Sequence, residues 1–160
     1  MNLMKLFELQ ENLDQRIGKG ISIDKTSLIS KKTLALQVKM AQLANETRCF
    51  NFWSNNKTIN KDLILKSYVN SLCFMLTLGI EKGFTDISIK IKPNEYDITS
   101  QFLNLYIDIN DFVISSSKDH YITLFEDFIS LGNKLGFSLK EIENAYYYNN
   151  SFLIKKSGCY

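Results

Sequence analysis

Residues that interrupt helices are scarce in this sequence. The chain of 160 residues has one proline, Pro93, and seven glycines. Most of the glycines fall at the ends of segments in which apolar residues recur every three or four positions. That period is typical of helices packed on one face, and proline and glycine are the residues that most readily end them. The sequence therefore predicts an all-α helical bundle of about five to six helices, in a single domain over residues 1–160.

Apolar spacing places the first three helices. Residues 2–17 carry one amphipathic stripe that the next residue, a glycine, ends, and 18–30 are expected to form a connector. Residues 31–53 carry two apolar stripes, which predicts a central helix covered on more than one side. A third helix over 61–79, with Asn60 as its N-cap residue and with Gly79 or Gly83 ending it, is expected to lie beside it.

The second half of the chain begins with an ambiguous segment. Residues 86–93 alternate isoleucine with polar residues, which is the period of a strand, but a lone strand would have no partner. We therefore expect an extended connector, followed by two helices around 102–113 and 122–129. A capping box of the form S-x-x-E begins at Ser138 and predicts the last helix. The polar tail over 149–160 is expected to be irregular.

Charge and cysteine content exclude several classes of protein. With 19 Lys plus Arg against 17 Asp plus Glu, the chain lacks the basic surface of a nucleic-acid binder or a polybasic membrane anchor. Cys49, Cys73 and Cys159 share no metal-binding spacing and form no even set, so neither a disulfide framework nor a zinc site is indicated. The longest apolar stretch, 68–80, is too short to cross a bilayer, and the amino terminus lacks a signal-peptide core. We expect a cytoplasmic protein without membrane or direct nucleic-acid partners.

The usual catalytic motifs are missing from the sequence. It contains no phosphate-binding glycine loop, dinucleotide-binding fingerprint, H-E-x-x-H or nucleophile elbow. The single histidine, His120, stands beside Asp119 at a predicted helix start. One histidine without a second ligand makes no metal site, so a solvated or capping role is expected.

Polar residues are nevertheless aligned on the two central helices. Intervals of three and four residues place one polar stripe on a single face of the first helix. Ser67 and Asn70 lie three apart on the second helix, which is otherwise apolar. Buried polar groups need partners or a function, so these residues form either a hydrogen-bonded layer or a site. The stripe consists of Lys39, Gln42, Glu46, Cys49 and Trp53.

Several segments together resemble one known family. ALQVKMAQLANETRCFNFWSNN at 35–56 and ILKSYVNSLCFMLTLGIEKGF at 64–84 are similar to the paired helices of the dimeric dUTPases, all-α nucleoside triphosphate pyrophosphatases related to MazG-like proteins. MNLMKLFELQENLDQRI, DITSQFLNLY, LGNKLGFSLKEIENAY and KKSGCY agree in order and spacing. The resemblance implies an all-α homodimer that acts on dUTP-like nucleotides, in a bacterial setting such as a phage or mobile element.

The resemblance also shows where this chain departs from the family. The family's E-x-x-E and E-x-x-D motifs supply four carboxylates that hold Mg²⁺ while a water attacks the triphosphate. Lys39 and Gln42 stand at the first pair of positions, and Ser67 and Asn70 at the second. One lysine and three neutral groups replace four negative charges, so no catalytic set is intact, and neither a metal site nor a cofactor is expected.

Six residues remain candidates for contact with a nucleotide. Glu46 is the one acid left on the stripe, with helix packing as its alternative role. Trp53 can stack on a base, with core packing as the alternative. Two lysines near the carboxyl end can reach a phosphate, although lysines in such a tail are usually solvated. The six residues are Gln10, Glu46, Trp53, Lys155, Lys156 and Tyr160.

The leading hypothesis from sequence is a catalytically inactive dUTPase-like protein that acts by binding a nucleotide or a protein, with Lys39 taking over part of the metal's charge. The first alternative is an active Mg²⁺-dependent pyrophosphatase that uses Glu46 and releases the monophosphate and pyrophosphate. The second is a purely structural dimer whose old pocket is filled by side chains, including Phe152.

Overall fold

Six α-helices account for most of the chain. The computed structural model describes residues 1–19, 24–53, 58–91 and 93–156, with side chains described as far as Ser151. No strand occurs within these ranges, so the predicted all-α class is confirmed, and residues 86–91 belong to neither a helix nor a strand. The helices are α1 (Leu3–Ile17), α2 (Lys25–Thr47), α3 (Lys61–Lys82), α4 (Ile98–Ile114), α5 (Lys118–Lys134) and α6 (Leu139–Lys156).

Helix α3 lies at the centre of the bundle. It packs against α1, α2, α5 and α6, while α4 and α5 form a second closely packed pair. By length and composition α3 is apolar enough to cross a membrane, contrary to the expectation from the shorter stretch 68–80. However, 61% of its most apolar 18-residue window is buried inside the protein, as expected of a core helix.

Two glycines let tyrosine side chains cross between α3 and α5. The Tyr121 hydroxyl donates to the Met75 carbonyl at 2.9 Å, and a Cβ added at Gly79 would lie 2.3 Å from that hydroxyl oxygen. In the reverse direction, the Tyr68 hydroxyl donates to the Phe128 carbonyl at 2.9 Å, close to Gly132. These positions require glycine because any side chain would occupy the volume of the ring. Gly79, a candidate helix end by sequence, is therefore a packing residue.

The predicted ends of α2 were wrong at both sides. The helix begins at Lys25 rather than near residue 31 because the Asp24 carboxylate caps it, accepting from the Ser27 amide at 3.0 Å. It ends at Thr47 rather than Trp53 because Arg48 adopts a left-handed conformation with φ 52°. The segment that carries Trp53 is therefore not helical.

The predicted start of α6 is confirmed, but the predicted irregular tail was wrong over residues 149–156, and 157–160 lie outside the described residues. The Ser138 amide and hydroxyl donate to Glu141 at 2.8 and 2.7 Å, and these hydrogen bonds lower the pKa of Glu141. The helix then continues through Lys156. Asparagine is a poor helix former, but Asn149 is held by tertiary contacts and Asn150 is buried. Tertiary packing thus overrides the local preference.

Asn60 caps α3 as predicted.

The close approach at Gly79 generates a stability prediction. Replacing Gly79→Ala should lower the free energy of unfolding by about 1–3 kcal/mol, because the new methyl group overlaps the Tyr121 ring. Gly18→Ala, at the end of α1, is the matched control and should cost less. Chemical denaturation of both variants measures the difference. Equal losses for the two variants would contradict the role assigned to Gly79.

Candidate functional site

The polar stripe of α2 is only partly buried. Lys39 and Glu46 are half-buried, and Gln42 is exposed. The Lys39 ammonium donates to the Gln42 side-chain oxygen at 3.2 Å, an i, i+3 contact along the helix. The sequence predicted that these groups lie in an apolar interior, whereas in the structure they lie at the boundary with solvent. The charge of Lys39 is therefore in contact with a neutral amide and remains accessible to an anion.

The polar pair on α3 is reached from α6. Ser67 and Asn70 are both half-buried. The Asn149 amide donates to the Asn70 side-chain oxygen at 3.4 Å and approaches the Cys73 sulfur at 3.9 Å. Burial raises the pKa of Cys73 to about 12, so its thiol stays protonated and is a poor nucleophile. Asn149 was not among the residues singled out by sequence, because no sequence pattern pairs it with Asn70.

Gln10 lies in a buried network away from the stripe. The Tyr146 hydroxyl donates to the Gln10 side-chain oxygen at 3.0 Å, and the Gln10 amide donates to Asp14 at 2.8 Å. Burial raises the pKa of Asp14, against the lowering effect of hydrogen bonds from Thr77 and Gln10. The oxygen and the nitrogen of the Gln10 side-chain amide therefore both take part in hydrogen bonds within the protein.

Three aromatic rings are exposed after α2. Phe52 is 90% and Trp53 66% exposed, and their ring centroids lie 5.0 Å apart in an edge-to-face arrangement. Phe50 lies 6.1 Å from Trp53. The alternative that Trp53 packs in the core was wrong, because the helix stops before it. Its ring is available for stacking. Phe52 was not among the candidates predicted from sequence, although the aromatic residues of the segment F-N-F-W at 50–53 indicated a cluster of rings.

The carboxyl-terminal candidates lie outside the described residues. The side chains of Phe152, Lys155 and Lys156 are not described, although their backbone belongs to α6. Cys159 and Tyr160 follow the last described residue. The roles assigned to them from sequence remain predictions.

The residues at the positions that the resemblance assigns to the metal do not fit Mg²⁺. This cation binds oxygen ligands, preferably charged carboxylates, whereas these four residues are a lysine, two amides and a hydroxyl, and the Lys39 ammonium contacts the Gln42 amide. Glu46 is the nearest carboxylate along the stripe. Over the described ranges, no group of three or more histidine, cysteine, aspartate or glutamate side chains is placed to hold a metal ion.

His120 has a structural position. Its Nδ1 lies 2.7 Å from the Ser115 carbonyl oxygen, and its backbone amide donates to the Ser117 hydroxyl that caps α5. The ring therefore ties together the turn between α4 and α5. This agrees with the helix-start position predicted from sequence.

A groove of about 500 Å³ lies between α3 and α6, beside the Asn70–Asn149 contact. Its lining offers a cation from Lys66, a carboxylate from Asp62, a largely exposed aromatic ring from Tyr148 and the amide of Asn149. Leu65, Val69 and Ala145 supply the apolar part of the lining. An aromatic face, an amide and an apolar surface with charged groups beside them can contact a small polar ligand that carries a ring.

Comparison with known proteins identifies the family. A search of curated proteins finds no match. A family model described as dUTPase matches residues 2–156, which include all six helices. The chain therefore belongs to the all-α dimeric dUTPase family.

Proposed function

We propose that this protein is a catalytically inactive dUTPase-like protein that binds a nucleotide without a metal ion. Its family consists of dUTPase-like nucleotide pyrophosphatases, and family membership supports the nucleotide as ligand class. The observation that carries the inactive assignment is the Lys39–Gln42 contact. The proposal takes this ammonium and this neutral amide to stand at two of the positions to which the resemblance assigns carboxylates.

Lys39 supplies the charge in this proposal. A half-buried ammonium whose hydrogen bond, among the described residues, goes to a neutral amide is attracted to a phosphate with little loss of existing contacts. One lysine replaces only part of the charge of metal ions, so weak binding is expected. Trp53 and Tyr148 offer exposed rings on which a base can stack. Glu46 then serves helix packing instead of metal ligation.

A homodimer is the second part of the proposal. The family is typically dimeric. Helices α2 and α4 pack against each other, and together they expose a set of large apolar side chains. Burying such a patch against a second copy removes it from water. The patch, here called the α2–α4 face, consists of Leu34, Val38, Leu103, Ile107 and Ile114.

We further propose a cytoplasmic location, which the free thiols of Cys49 and Cys73 support. A protein partner is the alternative occupant of the α2–α4 face. An inactive relative that keeps the family's shape is suited to engage a protein that recognises the active enzyme. A monomeric wild-type protein would favour this alternative over self-association.

The nucleotide proposal predicts binding without turnover. Incubation with dUTP, dCTP or dTTP in Mg²⁺ or Mn²⁺ should release no pyrophosphate, and a non-hydrolysable dUTP analogue should bind equally well in EDTA. Lys39→Gln should weaken that binding about three- to tenfold, because one phosphate-facing charge is lost. Lys118→Gln, on α5, is the control. Metal-dependent pyrophosphate release would establish the active-enzyme alternative instead.

The assignment of the metal positions can be tested by restoring carboxylates. The combined variant Lys39→Glu, Gln42→Glu, Ser67→Glu and Asn70→Asp should bind Mg²⁺ by calorimetry, whereas the wild-type protein should not. Circular dichroism verifies that the variant is folded. A folded variant that ignores Mg²⁺ would show that these four positions do not converge on one ion.

The dimer proposal predicts a monomeric variant. Ile107→Asp places a charge in the centre of the α2–α4 face and should convert a wild-type dimer to a monomer in analytical ultracentrifugation. Met4→Asp, at a position that is 80% exposed on α1, is the matched control and should remain dimeric. If both variants dissociate equally, or neither does, the interface lies elsewhere.

A further inference from the structure

A cavity of about 400 Å³ lies between α1, α2 and α3, near the carboxyl end of α3. Among the described residues it shares no lining residue with the polar stripe of α2 or with the groove between α3 and α6. Four half-buried apolar side chains from the three helices line it. A space of this size with apolar walls is typical of small-molecule sites. The four side chains are Ile17, Leu28, Phe74 and Ile80.

The charged groups of the same lining are mostly acidic. Lys32 on α2 forms an ion pair with Glu81 on α3, and the two side chains are only 18% and 20% exposed. The charges of this pair cancel each other. Glu11 and Asp14 on α1 add two carboxylates, and over the described residues neither forms an ion pair. The cavity wall therefore carries two negative charges to which no cation of the chain is paired.

Two further features of the cavity favour a positively charged ligand. The Gln10 amide donates to Oδ1 of Asp14 at 2.8 Å, which orients this carboxyl and favours its ionised form. The carboxyl ends of α1 and α3 both border the cavity, at Ile17 and at Glu81. The partial negative charge at the carboxyl end of a helix attracts cations. The amino end of α2 has the opposite charge, but Asp24 caps it.

We propose that this cavity binds a small organic ammonium ion with an apolar body, such as a primary amine. The ammonium group contacts Asp14 and Glu11, while the apolar body lies against the four apolar side chains. The inorganic alternative, a divalent metal ion, is a poor fit, because within the described ranges no three acidic, histidine or cysteine side chains are grouped to hold one.

The cavity is distinct from the proposed nucleotide site. The phosphates of a nucleotide carry the same sign of charge as Glu11 and Asp14, so this cavity repels them. The residues that line it also differ from those of the nucleotide proposal. The amine proposal therefore does not rest on nucleotide binding, and either can fail without the other.

Titration with three small molecules of similar shape tests the ligand class. In nitrogen-15 NMR of the full-length chain, phenethylamine should shift the backbone amide signals of Thr77 and Glu81 in a saturable manner. Phenethyl alcohol lacks the charge and should bind at least about threefold more weakly. Hydrocinnamate is an anion and should leave these signals unchanged. Equal affinity for the amine and the alcohol, or saturable shifts confined to residues outside the cavity, would overturn the proposal.

Substitution tests the role of the carboxylates. Asp14→Asn keeps an acceptor oxygen for Gln10 but removes the charge, and it should raise the Kd of phenethylamine about three- to tenfold. Glu11→Gln, at an exposed position, should weaken binding less and serves if the first variant fails to fold. Glu8→Gln is the matched control, because it removes the same charge from α1 outside the cavity, and it should keep the wild-type affinity. Unchanged affinity in the folded cavity variants, or an equal loss in the control, would overturn the proposal.

Discussion

Two buried tyrosine hydrogen bonds tie the central helix α3 to α5. Tyr121 reaches across Gly79 to a carbonyl of α3, and Tyr68 passes Gly132 to reach a carbonyl of α5. Each hydroxyl is buried, and its hydrogen bond offsets the cost of taking it out of water. With α3 held from this side, its remaining surfaces face α1, α2 and α6. Ser67 and Asn70 lie on α3, and Lys39, Gln42 and Glu46 lie on its neighbour α2.

The proposed change of chemistry is compatible with the family's framework. The hairpin of α2 and α3 and the approach of α6 are formed largely by apolar packing. The proposed placement of Lys39 and Asn70 at carboxylate positions therefore requires no change of fold. Four mutually repelling carboxylates without metal would be less favourable than the present groups. In this proposal, the chain belongs to the family and offers a different ligand set.

Two helix starts were predicted from local signals. Asn60 and Ser138 mark them because capping is a contact within four residues. The start of α2 was missed although its cap at Asp24 is equally local, because 18–30 carries no apolar stripe that would have drawn attention to it. The end of α2 was missed because nothing in the composition indicates the left-handed conformation of Arg48. The Lys39–Gln42 contact follows from helical spacing, whereas the Asn149–Asn70 contact joins residues far apart in sequence that only the packed structure brings together.

The buried network around Gln10 bears on what kind of ligand the proposed site accepts. Tyr146 and Asp14 occupy both ends of the Gln10 amide, so a base can reach that amide only by displacing a buried hydrogen bond. The exposed groups, by contrast, are the rings of Trp53 and Tyr148. Stacking on aromatic rings is tolerant of base identity, because every base has a π face. Recognition by this chain should therefore depend on the phosphate charge and a flat ring, with little discrimination between pyrimidines.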